Sequence, residues 1–295
     1  MNYKQVLPIR NDCRIDEQFG WLPLSVMEPT KESKKHWPNA YLDDGSNEQR
    51  RSESSEYLPG LKFSEFHAGL AEQILRYWSM KNSVVVDPFA GRATRAVVAD
   101  KLNRQYQGYE ISQRTYDRVK SHFKKFKVSP KLFLGDGTVM HNTPNAIADL
   151  VFTCPPYHAI EKYENIKGQL SDCGSYEEFL GFIKRCGRNV ERVLKPGAFC
   201  VWVVGDWREG GKFRSFHSDL IRIFTEVELI HHDTIIVKNI SPFASLQCAK
   251  VASKRYTGKT HEYVMVFRKK GEYEVPDYCK LDDLRVNSTE FFSFQ

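Results

Sequence analysis

The chain has 295 residues, of which 41% are hydrophobic and 13% aromatic, a composition typical of a globular protein with a sizeable core. Its net charge of +6 is too modest to indicate a nucleic-acid partner without further signs. No run approaches the roughly 20 apolar residues of a membrane span, and the polar N-terminus is not a secretory signal. The seven cysteines are scattered and form no C-x-x-C pair. We therefore expect a cytoplasmic protein in a reducing setting, with no disulfide framework, metal site or membrane contact.

The chain divides into three parts by composition. Residues 1–61 are predicted to be an irregular arm, because the stretch 28–60 is rich in charged residues, Ser, Asn, Gly and Pro and shows little periodicity. Regular patterns then occupy residues 62–270, which we interpret as one domain. Residues 271–295 remain as a tail.

Helix and strand patterns alternate within the central domain. In chain order they predict a helix at 67–80, a strand at 82–91, a helix at 93–104, a strand at 105–112, a helix at 113–126, strands at 131–136 and 149–154, a helix at 176–194, a strand at 196–206, a helix at 213–225, and strands at 227–238 and 261–270. This alternation predicts an α/β fold with a parallel sheet and helices on both faces. The last two strands lack a crossover helix and should be antiparallel. This order of seven strands resembles the plan of a Rossmann-like methyltransferase.

Three predicted strands end on an acidic residue. They are Asp87, Glu110 and Asp136, and the first precedes a turn containing Gly91 that opens a helix. Ligands of open α/β sheets bind at the carboxyl ends of the strands, and a helix start favours an anionic or zwitterionic group. Any single acid could equally cap the following helix. Three in succession favour a ligand crevice.

The fourth predicted strand ends in two prolines followed by Tyr157. Prolines cannot donate hydrogen bonds to a sheet, so Pro155 and Pro156 end the strand and leave carbonyls without competing N–H donors. Taken alone, this pattern favours an ordinary strand-ending turn with Tyr157 packed in the core.

Together, DPFAG and TCPPY resemble the paired signatures of the S-adenosylmethionine-dependent DNA amino-methyltransferases, which modify adenine N6 or cytosine N4. Asp87, Pro88, Phe89, Gly91 and Thr94 match the first signature, and 154–157 match the second. Residues 63–75 resemble the family element that borders the methionine end of the cofactor. The resemblance covers roughly residues 62–270.

This resemblance implies S-adenosylmethionine as the cofactor and a base flipped out of DNA as the substrate. The implied catalytic residues are Cys154, Pro155, Pro156 and Tyr157, whose carbonyls would accept the amino protons while the Tyr157 ring stacks on the base. The implied cofactor residues are Phe63, His67, Asp87, Pro88, Phe89, Ala90, Gly91, Thr94, Glu110, Ile111, Asp136, Gly137 and Thr153.

The chain departs from the family pattern at two positions. Ala93 replaces the second glycine of the first signature. Cys154 occupies a position that relatives fill with Asp, Asn or Ser, and a thiol is a poorer hydrogen-bond acceptor than a carboxylate. T-C-P-P-Y is nearest to the T-S-P-P-Y form associated with cytosine N4, which favours cytosine slightly and leaves adenine open. Cys154 precedes the prolines, and this argues against a covalent role of the kind found in cytosine-C5 enzymes.

Basic residues interleaved with aromatic ones in the loops after the fifth and sixth strands suit phosphate contact and base stacking on double-stranded DNA, and solvated loops are the alternative. They are Arg208, Lys212, Arg214, Lys250, Lys254, Arg255, Tyr256 and Lys259. Because only about 25 residues follow position 270, we expect no separate recognition domain and a short or relaxed target sequence. An RNA amino-methyltransferase, acting for example on guanine N2, and a non-catalytic nucleic-acid-binding subunit are the alternatives.

Overall fold

The computed structural model describes residues 24–29, 36–37, 39–41, 66–158, 166, 168–238, 248 and 251–272. Two of the predicted contact residues, Phe63 and Lys250, lie outside the described residues, as do most of the predicted arm and tail. The unit that contains the sheet runs from Ser25 to Tyr273. No helix in the described ranges is long and apolar enough to cross a membrane.

Ten strands and five α-helices alternate along these residues. They are β1 (Val26–Met27), α1 (Ala68–Trp78), β2 (Val84–Asp87), α2 (Thr94–Lys101), β3 (Gln105–Glu110), α3 (Gln113–Lys125), β4 (Lys131–Leu134), β5 (Ala148–Thr153), α4 (Tyr176–Val193), β6 (Leu194–Val204), β7 (Trp207–Glu209), β8 (Lys212–Arg214), α5 (Phe216–Glu226), β9 (Leu229–Lys238) and β10 (His261–Lys269). A 3₁₀ turn, Leu170–Asp172, precedes α4.

Eight of the strands form one sheet in the order β1-β9-β10-β6-β5-β2-β3-β4. Strand β10 runs antiparallel to both of its neighbours, and the other pairs are parallel. The predicted α/β fold, with a mostly parallel sheet and an antiparallel last strand, is therefore confirmed. The pairing of β2 with β5 brings the tips of the first and fourth predicted strands side by side.

The eighth strand comes from the segment that the sequence predicts to be irregular. Val26 and Met27 pair with Ile236 and Val237 at the edge of the sheet, and Ile236 N donates to Ser25 O at 2.8 Å. Two residues are too few to produce the alternation of apolar and polar residues by which a strand is recognised.

A two-stranded hairpin, β7–β8, follows directly after β6. Its turn is Gly210–Gly211, and both glycines have positive φ, 54° and 83°, as a two-residue hairpin turn requires. Residues 212–214 are consequently a strand, and the helix predicted to begin at 213 begins at Phe216.

The sheet is covered on both faces. Cys200, Trp202 and Val204 of β6 join the apolar core beneath α4 and α5, whereas Val201 and Val203 point to the opposite face and are equally buried. This burial on both faces explains why residues 198–204 of β6 are all apolar and do not alternate with polar residues. The two-layer cover leaves the carboxyl edge of the sheet as the place where loops can form a ligand site.

Candidate active site

A cavity of about 470 Å³ opens at the carboxyl edge of the central strands. Its volume falls in the range of sites for small molecules and cofactors. Most of the predicted site residues that the structure describes line it: His67, Pro88, Phe89, Ala90, Gly91, Glu110, Ile111, Asp136, Gly137, Cys154, Pro155, Pro156 and Tyr157. The two sequence signatures therefore meet at a single cavity.

Asp87, Thr94 and Thr153 lie beneath the lining residues and are fully or almost fully buried. The Asp87 carboxylate accepts four hydrogen bonds. Oδ1 accepts from the Phe89 amide at 3.0 Å and the Thr153 hydroxyl at 2.6 Å, and Oδ2 accepts from Arg95 Nε at 2.7 Å and the Tyr106 hydroxyl at 2.8 Å. Asp87 therefore ties the first signature to the end of β5, which leads into the second.

Arg95 completes this arrangement and is absent from the predicted site. Besides its ion pair with Asp87, its guanidinium donates to the backbone carbonyls of Phe89 and Ala90 and lies 5.0 Å from the centre of the Phe66 ring. Burial by itself would lower the pKa of Arg95, but the charge of Asp87 outweighs it and the pKa is raised. Arg95 stays charged and holds the turn that lines the cavity. The sequence could have indicated Arg95 only by its position, because it directly follows Thr94 of the first signature, in the first turn of α2.

The three strand-tip acids share one interaction and differ in the rest. Each accepts a hydrogen bond from the amide two residues later: Asp87 from Phe89, Glu110 from Ser112 at 2.7 Å, and Asp136 from Thr138 at 2.8 Å. Each acid therefore fixes its own turn. Asp87 is enclosed, whereas Glu110 and Asp136 line the cavity, so the three acids do not form the uniform row that the sequence suggests.

Asp136 is further oriented by a basic neighbour. Its Oδ2 accepts from Arg185 Nη2 at 2.7 Å, and its Oδ1 accepts from the Thr138 hydroxyl at 2.6 Å. Arg185 also donates to the Thr138 hydroxyl and so joins α4 to the loop after β4. This carboxylate is held in position at the cavity wall.

Two glycines allow the cavity wall to form. Gly91 has φ +52°, in the left-handed region that favours glycine. Gly137 is required for a different reason, because a Cβ there would lie 1.7 Å from the Pro88 carbonyl oxygen. The loop after β4 thus lies directly against the first signature.

The Pro-Pro corner follows Thr153, whose hydroxyl donates to Asp87. Pro155 is buried, and Cys154, Pro156 and Tyr157 are half-buried at the cavity. Neither proline has an N–H, so this stretch of the wall is rich in acceptors.

The ring of Tyr157 packs edge-on against Trp207 of β7, with ring centres 5.6 Å apart. The hydroxyl end of Tyr157 lies near the backbone of Gly205. A Cβ at position 205 would lie 3.3 Å from the Tyr157 hydroxyl oxygen and 2.2 Å from Lys259 Nζ. The Lys259 amine donates to the Asp206 carbonyl. Although Lys259 as a residue is exposed, its amine points inward, and this desolvation lowers its pKa.

A second polar cluster supports the backbone at this point. The buried carboxylate of Asp206 accepts from His217 Nδ1 at 2.8 Å, and the His217 ring stacks on Tyr263 with ring centres 4.2 Å apart. Burial and then the proximity of Asp206 raise the pKa of Tyr263. The cluster anchors the start of the β7–β8 hairpin. The sequence analysis did not identify it, because these residues come from three separate elements.

The described residues among those predicted to contact DNA are located at the same edge of the sheet. Arg208, Lys212 and Arg214 belong to the β7–β8 hairpin, and Lys254, Arg255, Tyr256 and Lys259 belong to the segment before β10. Two of the arginines lie over aromatic rings, Arg208 over Tyr256 at 3.9 Å and Arg214 over Tyr176 at 4.4 Å. The first contact joins the hairpin to the segment before β10, and the second joins the hairpin to α4.

The profile of the family described as DNA methylase, the N6/N4 methyltransferases, matches residues 12–121 and 148–290 of this chain. The chain belongs to the DNA methylase family. The matched ranges include both signatures and nearly all of the described sheet, so the family predicted from DPFAG and TCPPY is confirmed.

Individual members of the family and of the fold are more distant. The chain is 36% identical to the orphan methyltransferase M.BamHII of Bacillus amyloliquefaciens over 72 residues, 24% of this chain and 27% of that protein. It is 27% identical to the type II methyltransferase M.MjaVI of Methanocaldococcus jannaschii over 146 residues, 48% of this chain and 73% of that protein. The match thus spans only about a quarter of the length of the first relative.

The crystal structure of TrmN from Thermus thermophilus superposes with a TM-score of 0.52 at 14% identity, covering 80% of this chain and 53% of TrmN, and so shares the fold.

S-adenosylmethionine is the cofactor of this methylase family and of the methyltransferase fold, and the cavity has the features that this molecule requires. Carboxylates from two adjacent strand tips, Glu110 and Asp136, face a cavity of suitable volume. The Gly91 turn opens α2, whose free amides favour a carboxylate ligand. Phe66 and His67 also line the cavity.

Proposed function

We propose that this methylase transfers a methyl group from S-adenosylmethionine to the exocyclic amino group of a base flipped out of double-stranded DNA, and that the base is cytosine, modified at N4. The observation that carries the proposal is the meeting of both signatures at one cavity, joined through the hydrogen bond from Thr153 to Asp87. Such an arrangement would place a methyl donor and an acceptor base next to each other.

The residues of the first half of the cavity would hold the cofactor. The Glu110 carboxylate ends β3, the position from which an acid binds ribose hydroxyls in related α/β sites. The turn at Pro88–Gly91 and the start of α2 would contact the methionine end, and Asp87, Thr94 and Thr153 would support them from beneath. Bound S-adenosylmethionine supplies an electrophilic methyl group on its sulfonium.

The residues of the Pro-Pro corner would activate the acceptor. An exocyclic amino nitrogen is conjugated with its ring and is therefore a weak nucleophile. Backbone carbonyls that accept both amino protons would favour a pyramidal nitrogen whose lone pair is available to the methyl group. The corner is suited to this because two consecutive residues lack an N–H. The ring of Tyr157, braced by Trp207, would stack on the flipped base.

Cytosine is favoured by the residue before the prolines. Cys154 is closest in size to the serine of the T-S-P-P-Y form. A thiol accepts hydrogen bonds poorly, so the backbone carbonyls would carry most of this role. The same geometry serves adenine N6, and the base is therefore the part of the proposal that needs its own measurement.

Nucleoside mass spectrometry tests the proposal. Purified protein is incubated with unmethylated genomic DNA, total RNA, or no nucleic acid, each with isotopically labelled S-adenosylmethionine. We expect labelled N4-methylcytosine in the duplex DNA alone. N6-methyladenine would retain the reaction class and overturn the choice of base. Label in RNA alone, or in neither nucleic acid, would overturn the proposed function.

Truncating Tyr157 should reduce turnover and leave cofactor binding intact. Loss of a stacking ring costs about 1–3 kcal/mol, so Tyr157→Ala is expected to lower kcat/KM for DNA by roughly tenfold to a hundredfold. The dissociation constant for S-adenosylmethionine, measured by calorimetry, should change by less than about threefold.

Tyr157→Phe is the matched control, because it retains the ring that packs on Trp207 and removes only the hydroxyl. We expect it to keep most of the activity. Full activity of Tyr157→Ala, with unchanged thermal stability, would be incompatible with base stacking by this residue.

A further inference from the structure

The β7–β8 hairpin exposes an aromatic ring at the edge of the active site. Phe213 is 53% exposed, and it is the one Phe, Trp or Tyr of the described residues that is exposed to this extent. A single exposed apolar side chain is common on protein surfaces, so its significance depends on the residues around it.

The two faces of the hairpin differ. Trp207 packs on Tyr157, Glu209 Oε1 lies 3.3 Å from His158 Nδ1, and Arg214 lies over Tyr176. These contacts tie one face to the Pro-Pro corner and to α4. Arg208 and Phe213 form a cross-strand pair and, because side chains alternate, occupy the outer face.

A three-layer stack stabilises this outer face. The Arg208 guanidinium carbon lies 4.9 Å from the centre of the Phe213 ring and 3.9 Å from that of Tyr256. The Tyr256 hydroxyl also donates to the Gly211 carbonyl at 3.4 Å. The exposed Lys254 and Arg255, which directly precede Tyr256 in the chain, add positive charge beside the stack. A flat aromatic surface flanked by positive charge is complementary to bases and phosphates.

We infer that Phe213 enters the DNA base stack and fills the space left by the flipped target base, with Arg208 and Tyr256 holding its ring in place. This inference rests on the proposed function. Extruding a base costs unstacking free energy. DNA-bending proteins insert apolar side chains between base steps, and an inserted ring can take the stacking contacts that an extruded base gives up. Trp207, the first residue of the hairpin, packs on Tyr157. Phe213 pairs with Arg208, the next residue along the chain, and therefore lies beside the corner that would hold the flipped base.

The experiment compares DNA duplexes in which the target base is paired with duplexes in which it has no partner base. Sequencing of DNA modified by the wild-type protein first identifies its site. Duplexes are then made with the target base correctly paired or placed opposite an abasic position, where extrusion costs less. For Phe213→Ala we expect kcat/KM to fall roughly tenfold to a hundredfold on the paired duplex and less than about threefold on the abasic-opposed one, each relative to wild type on the same DNA.

Two controls separate this role from general damage. Phe213→Trp retains an insertable ring and should stay within about threefold of wild type on both duplexes. Ile230→Ala truncates another exposed apolar residue, at the start of β9 on the other edge of the sheet, and should change neither. Equal losses of Phe213→Ala on both duplexes, or no loss on the paired one, would overturn the inference alone. A wild-type protein that methylates no DNA would overturn the proposed function and, with it, the inference.

Discussion

Asp87 illustrates how a residue recognised in the sequence can have a different environment from the one expected. Its place in DPFAG suggests a carboxylate facing a ligand. In the structure the carboxylate is completely enclosed and its partners are Phe89, Arg95, Tyr106 and Thr153. Its contribution to cofactor binding would therefore be made through the turn that it holds, and direct contact with the cofactor stays a prediction.

Asp87→Asn should destabilise the protein and weaken cofactor binding together. The substitution leaves Arg95 buried without its counter-charge, which typically costs about 3–5 kcal/mol. The free energy of unfolding is measured in urea. The dissociation constant for S-adenosylmethionine should rise about tenfold, equivalent to about 1.4 kcal/mol, because the Phe89 amide loses its carboxylate acceptor.

A double-mutant cycle tests the physical cause. In Arg95→Met the guanidinium is absent, and adding Asp87→Asn to it should cost clearly less than Asp87→Asn costs alone. Additive losses would mean that the two side chains do not act as a pair.

At the scale of elements, the fit between the loop after β4 and the first signature depends on Gly137. In Gly137→Ala the new methyl group would overlap the Pro88 backbone, which cannot move without disturbing the cavity wall. We expect a loss of about 1–3 kcal/mol in the free energy of unfolding, as for other overpacked sites, and weaker binding of S-adenosylmethionine.

Gly181→Ala is the matched control for this prediction. Gly181 lies on the exposed side of α4, and a Cβ there meets nothing within 4 Å. Alanine has the higher helix propensity, so a gain of about 0.5–1 kcal/mol is expected from denaturant titration. Equal stability of the two alanine variants would contradict the contact between Gly137 and Pro88.

The stability of the start of α1 should depend on pH, because His67 caps this helix. His67 Nδ1 accepts from the Leu70 amide at 3.3 Å and so caps the helix, and desolvation by burial lowers the pKa of its ring. Because the unfolded chain binds the proton more readily, the stability from neutral His67 is complete above about pH 6.5 and is lost as the pH falls below it. The ring is only partly desolvated, because His67 as a residue is exposed, and solvent therefore reduces the size of this effect on stability.

Two substitutions at this position separate the cap from the titration. His67→Ala should lower the free energy of unfolding at pH 7.5 by about 0.5–1 kcal/mol. His67→Asn retains a capping oxygen, and should match wild type at pH 7.5 and lose less stability between pH 7.5 and pH 5.5. If wild type and His67→Asn depend equally on pH, the His67 ring does not titrate as described.

At the scale of the whole molecule, local patterns account for most of the sheet and its order of elements. The runs that became β2, β3, β5, β6 and β10 are rich in β-branched and aromatic residues, and helical spacing identifies α1, α4 and the later part of α5. Family membership follows from two short signatures for a similar reason: backbone turns with glycine and proline allow few substitutions. The β7–β8 hairpin carried a readable signal, two glycines between W-R-E and K-F-R, and the predicted helix was wrong there at its first residues.

Length, residue types and short-range spacing were sufficient for the fold class, the family and the two signatures that line the cavity, because helices, strands and tight turns depend on neighbouring residues. Other features depend on contacts between residues far apart in the chain. The pairing of β2 with β5 places Thr153 against Asp87, 66 positions away in the chain. The support that Asp87 gives to the cavity from beneath is visible only in the structure, where its carboxylate is buried and accepts four hydrogen bonds. The edge strand at Val26–Met27 and the bracing of the Phe213 hairpin on the Pro-Pro corner likewise arise from long-range contacts, for which no local pattern of residues is required.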